Sequence, residues 1–173
     1  MNTSRTLRSL IVLAFCSTLT FGLRAQSPAE DMAAAADHFL ASLSAEQRAK
    51  ATFGFGDNER TNWFFVPHVR KGLPLKEMSP EQKHLALGLF NITVNQRTFL
   101  KGTTIMSLEQ ILKEQEKGSG PTRDPELYFV SVFGKPEPKG TWGWRWEGHH
   151  LAFNFTVVKG EHFSVTPSFL PVK

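Results

Sequence analysis

Cysteine is almost missing from this chain: one residue in 173, Cys16. It lies in the apolar N-terminal segment, so the remainder has no disulfide, no thiol nucleophile and no thiolate metal site. Long apolar runs are missing too. The longest, Leu10 to Leu23, has 14 residues, short of the roughly 20 that span a bilayer. The motifs of common enzyme classes are absent: there is no G-x-S-x-G elbow, no H-E-x-x-H pair, no phosphate-binding loop and no dinucleotide fingerprint. Gly54-Phe55-Gly56 is a lone G-x-G and points nowhere.

Charge of one sign is also scarce once the N-terminus is set aside. Arg5 and Arg8 precede the apolar run, and Ala25 follows it before Gln26. This order reads as a signal peptide over residues 1–25, with a secreted or periplasmic mature protein. Phe15 stands before Cys16, where a lipoprotein needs a small residue. Removing Arg5, Arg8 and Arg24 leaves 17 basic against 16 acidic residues, a net charge of +1. The sequence pI near 9.4 therefore owes much to the leader, and nucleic acid is not an expected partner. No stable membrane insertion is expected after cleavage. Oligomeric state is not encoded in any pattern here.

What is present is an ordinary globular composition, 40% apolar and 21% charged, with 15 Phe and 4 Trp. These suffice for one core and exclude global disorder. Ser27-Pro28-Ala29-Glu30, Ser44-Ala45-Glu46-Gln47 and Ser79-Pro80-Glu81-Gln82 are three capping-box patterns. They predict helices from 28, from about 45 and from 80. A further helix is expected over Gln96 to Lys117, with Ile105, Leu108, Ile111 and Leu112 as its apolar stripe and Gly118 at its end. Residues 52–75 read as irregular, with a short strand at Trp63 to Val66. After Pro125 the composition turns β-branched and aromatic. Strands are expected at Leu127–Phe133, Trp142–Trp146, His149–Val158 and His162–Thr166, with tight turns at Glu147-Gly148 and Lys159-Gly160. Helices first and an antiparallel meander of about four strands afterwards make an α+β domain over residues 26–173.

Candidate chemistry concentrates in Trp142-Gly-Trp-Arg-Trp-Glu-Gly-His-His-Leu151. Strand alternation puts Trp142, Trp144 and Trp146 on one face and Arg145 and Glu147 on the other. After the turn, His149 joins Leu151 and Phe153, while His150 joins Asn154. His150 is either a general base or metal ligand, with Glu147, Asn154 and Arg60 as helpers, or a polar surface residue. His149 is a second ligand of a divalent metal if Gly148 is bulged, and otherwise a mostly buried imidazole bonded to a carbonyl. Trp142, Trp144, Asn154 and Trp63 either line a surface for a small-molecule ligand or, for the tryptophans, belong to the core. A second polar cluster runs from Asp57 through Trp63 to His68, Arg70 and Lys71, where loops often carry sites. His38 and His84 read as structural, and His162 as exposed.

Leu43-Ser-Ala-Glu-Gln-Arg-Ala-Lys50, Arg60-Thr-Asn-Trp63, Arg70-Lys-Gly-Leu-Pro-Leu75, Arg123-Asp-Pro-Glu-Leu-Tyr128, Val130-Ser-Val-Phe-Gly134, Trp142-Gly-Trp144, Gly148-His-His-Leu151 and Val165-Thr-Pro-Ser-Phe169 occur in this order. Together they resemble the family catalogued as domain of unknown function 3500. The resemblance implies a fold neighbourhood and a secreted location, but no reaction. It also implies that this chain is the N-terminal part of a longer family domain. Three readings follow: a metal-dependent hydrolase-like enzyme, a non-catalytic ligand-binding module using a Trp/Phe-lined surface, or a truncated remnant without activity of its own.

Overall fold

A computed structural model describes residues 26–170; the expected signal peptide lies outside them. The helices are α1 (Pro28–Ala41), α2 (Ala45–Ala51), α3 (Pro80–Thr93) and α4 (Gln96–Glu116). The strands are β1 (Thr52–Phe53), β2 (Leu73–Pro74), β3 (Phe129–Phe133), β4 (Trp142–Gly148), β5 (Leu151–Val158) and β6 (His162–Phe169). All three capping boxes form: the hydroxyls of Ser27, Ser44 and Ser79 accept from the backbone N–H of Glu30, Gln47 and Gln82, whose side chains reach back. Each box satisfies two of the orphan donors at a helix start. α4 ends on Lys117 in the left-handed region, φ 49°, followed by Gly118 at φ 81°.

The sheet runs in the order β1-β3-β4-β5-β6, with β2 also pairing β3. β3 to β6 are the four-stranded antiparallel meander expected from the sequence. The two-residue β1 adds in parallel and β2 antiparallel; both are too short to show a period. The strand expected at Trp63 to Val66 does not form, and this segment stays irregular. The α+β class is as expected.

Register sorts the side chains. Val130 faces Trp146, Val132 faces Trp144, Trp144 faces Phe155 and Trp142 faces Val157. With α1 and α3 packed over them they form one core in which Phe39, Ala86, Leu89, Phe90 and the three tryptophans are fully buried. Phe90 stacks on Trp146 at 5.1 Å between centroids. Removing a ring of this size from water contributes about 2–3 kcal/mol. The other face carries Ser131, Arg145, Glu147 and Asn154, all buried; residues 59–64 cover the last three, and Gly72 lies against Ser131.

α4 departs from expectation. Its buried positions are Gly102, Met106 and Glu109. Leu108 and Ile111, placed in its apolar stripe, are exposed. Gly102 sits where a Cβ would come within 2.9 Å of the Phe90 ring. The helix therefore makes its closest approach to the core through its smallest residue; Phe99, Ile105 and Met106 pack beside it, and Leu108 and Ile111 turn outward.

Candidate functional site

The turn between β4 and β5 lies two residues later than the sequence suggested. Gly148 pairs with Leu151, and His149 and His150 form the turn itself. His150 is exposed and left-handed, φ 57°. Its backbone N–H donates to the Phe65 carbonyl at 2.8 Å. Alternation of strand faces therefore does not separate the two histidines. Their rings lie 4.0 Å apart, centroid to centroid. Partial burial, and then His149 beside it, hold the His150 pKa below its ordinary value.

His149 is the better placed of the two. Its Nδ1 lies 2.6 Å from Glu109 Oε1 of α4 and 2.8 Å from Arg123 Nη1. Nδ1 can donate to the carboxylate or accept from the guanidinium, but not both at once. Arg123 is fixed by a two-pronged bond to Glu116, 2.9 and 2.7 Å, which also lowers the Glu116 pKa. The Tyr128 hydroxyl donates to the His149 carbonyl at 2.9 Å, and burial raises the Tyr128 pKa. Gly148 permits this contact, because a Cβ there would fall 2.3 Å from the Tyr128 ring. A helix residue, Glu109, and a loop residue, Arg123, thus meet on one imidazole, and Tyr128 holds its backbone.

That imidazole opens on a cleft of about 550 Å³. Pro67, His68, Val69 and Arg70 form one wall, and Glu77, Glu109, Thr122, Asp124, Tyr128 and His149 are among the residues that complete the lining. The Arg70 guanidinium organises the first wall. It donates to the carbonyls of Phe64, Val66, His68 and Gly148 at 2.6 to 3.1 Å. His68 stacks on Phe64 at 3.7 Å.

Several expected site residues sit elsewhere. Glu147 is 1% exposed and accepts from the Phe64 N–H on the sheet's polar face. Arg60 lies over the Phe55 ring and donates to the Phe55 carbonyl. His150, Glu147 and Arg60 therefore engage separate partners. Asn154 donates to the Arg60 carbonyl. Trp142 and Trp144 are fully buried, so of the two sequence readings the structure shows them in the core and not on a ligand surface: their strand face is the one the helices cover. Trp63 is half-buried, 6.3 Å from Phe65. Among the described residues, no three His, Cys, Asp or Glu side chains are grouped to hold a metal. The histidine pair has only Glu109 beside it and does not fit the divalent ion considered from sequence.

The sequence reading missed Glu109, Arg123, Tyr128 and Arg145 as organising groups. Glu109 alone left a usable trace. It follows Met106 by three and Gly102 by seven, so it is a carboxylate on the helical face that is buried.

Comparison with known proteins adds a family and nothing finer. The family described as "Protein of unknown function (DUF3500)" matches residues 25–173. No curated protein and no solved structure matches the chain.

Proposed function

Because the chain belongs to the DUF3500 family, whose description assigns no activity, we propose on the geometry that it is a secreted or periplasmic protein that binds a small molecule in the cleft beside His149. One observation carries this reading: a 550 Å³ cleft, lined by apolar side chains together with Glu77 and Asp124, onto which a hydrogen-bonded imidazole and carboxylate open. Ligand sites combine such concavity with a few fixed polar groups. Pro67, Val69, Leu127 and Tyr128 offer apolar contact, while Thr122, His68 and His149 offer hydrogen bonds. No helix among the described residues is long and apolar enough to cross a membrane.

A second reading keeps the hydrolase-like idea and moves it from His150 to His149. The 2.6 Å contact between His149 Nδ1 and Glu109 supports it. A carboxylate on one ring nitrogen fixes the tautomer and makes the other nitrogen a proton acceptor. In this reading Glu109 is a positioning residue and His149 the base.

The test is a thermal-shift screen of small polar metabolites against the protein and its Thr122→Trp variant, which fills the cleft from its exposed rim. Ligands that stabilise the parent and not the variant support the cleft. Ligands that stabilise both bind elsewhere, and a screen without hits contradicts the proposal. Hits that are turned over, with turnover lost in His149→Gln, select the second reading.

A further inference from the structure

The polar face of the sheet holds four buried side-chain atoms that have no hydrogen-bond partner among the described residues: Arg70 Nε, Arg145 Nε, Glu147 Oε1 and Asn154 Oδ1. They belong to one cluster. Arg145 and Asn154 are direct cross-strand neighbours. Glu147 Oε1 lies 3.4 Å from Arg145 Nη2 and 3.8 Å from Arg70 Nε. These are charge contacts that complete no hydrogen bond.

The remaining polar atoms of these side chains are largely committed. Arg70 spends its Nη groups on the carbonyls of the cleft wall. Arg145 donates to the Glu59 carbonyl, the Glu59 carboxylate and the Asn62 carbonyl at 2.6, 2.7 and 3.1 Å. Asn154 Nδ2 is held by Arg60, and Glu147 Oε2 by the Phe64 N–H. Orphan atoms such as these four are rarely left alone in native interiors, because a buried donor or acceptor without a partner is costly.

We infer that this layer between the sheet and residues 59–64 is a built hydration site, holding ordered water on Arg70, Arg145, Glu147 and Asn154. Two arguments identify the occupant. Two unpaired donors stand with two unpaired acceptors, and water supplies two of each. The formal charges of the buried groups cancel, Glu59 and Glu147 against Arg70 and Arg145, and a further cation, Lys71, is exposed at the rim 4.0 Å from Glu59, so the buried layer needs no ion to balance it. The indole N–H groups of Trp142, Trp144 and Trp146 are also unpartnered. They lie on the apolar face as donors without acceptors, and make no such site.

The site lies behind Arg70, so the water braces the residue that shapes the cleft wall. It does not depend on the cleft binding anything. The test is a crystal structure of the full chain at a resolution that shows ordered water. A density peak within hydrogen-bond distance of at least two of the four atoms is expected. The four atoms bonded directly to protein groups with no peak between them, or an anomalous signal from chloride at the peak, would overturn it. Oxygen-17 relaxation dispersion gives an independent reading in solution. Asn154→Leu should lose the contribution of at least one long-lived water, while its amide spectrum remains that of a folded chain. An unchanged contribution in the folded variant counts against the site. If that variant does not fold, Asn154→Asp, which keeps an acceptor at the site, should retain the signal, and its loss there would count equally against it.

Discussion

Arg145 is the residue on which the polar face depends. It is 1% exposed and answers both Glu59 and Glu147. Removing one member of a buried charge cluster leaves the others uncompensated. Arg145→Met should therefore lower stability by about 3–5 kcal/mol, on the scale of such losses, as read by urea unfolding; a loss under about 1 kcal/mol would contradict the pairing. Glu147 gives a pH signature. Burial raises its pKa despite Arg145 and Arg70 nearby, and burial likewise lowers that of Arg70, so desolvation outweighs their attraction. With the folded pKa above the unfolded one, the native state holds the proton more tightly. This contribution is fully present below the ordinary carboxylate range and is lost as pH rises through the folded value. Glu147→Gln should flatten that part of the stability profile, measured from mildly acidic to neutral pH. A profile unchanged by the substitution would show that Glu147 ionises normally.

At the scale of elements, the turn of β4 into β5 decides the site. Sequence reading placed it at Glu147-Gly148, because glycine is the usual turn residue. Gly148 is instead needed as a strand residue that lets the Tyr128 ring lie against it. His150 takes the left-handed position in its place. Gly148→Ala should push Tyr128 away, break its bond to the His149 carbonyl and cost about 1–3 kcal/mol, the range for overpacking. His150→Gly should be neutral or stabilising by up to about 1 kcal/mol, since glycine occupies that backbone region without strain. Both are read by thermal or denaturant unfolding, and clear destabilisation by His150→Gly would contradict the turn assignment. The capping boxes were legible because they are local: a serine, two residues and then an acid or amide. The meander was legible from β-branched and aromatic runs. The site was not, because Glu109, Arg123 and His149 meet only through tertiary packing. The outward stripe of α4 misled for a related reason. Gly102 against Phe90 sets which side of that helix faces the core, and hydrophobic spacing takes no account of close approach.

The whole molecule has two unlike layers on one sheet: an aromatic core beneath α1 and α3, and a charged layer beneath residues 59–64. Three of the four tryptophans are fully buried and Trp63 is not. Fluorescence should accordingly be dominated by shielded indoles, with the part quenched by iodide removed in Trp63→Phe. Quenching that persists in that variant would show an open tryptophan face. The same arrangement explains why a row of tryptophans looked like a ligand platform in sequence: alternation shows that they share a face, and only packing shows that helices cover it.

The most direct test of the central claim is to map binding residue by residue. The backbone and imidazole signals of the folded chain would be followed by NMR while stabilising compounds from the screen are titrated in. The cleft account predicts saturable shifts at His68, Val69, Thr122, Leu127 and His149, absent in Thr122→Trp. Saturable shifts centred instead on the outer strand β6 or on the exposed side of α4, with the cleft signals unmoved, would contradict it.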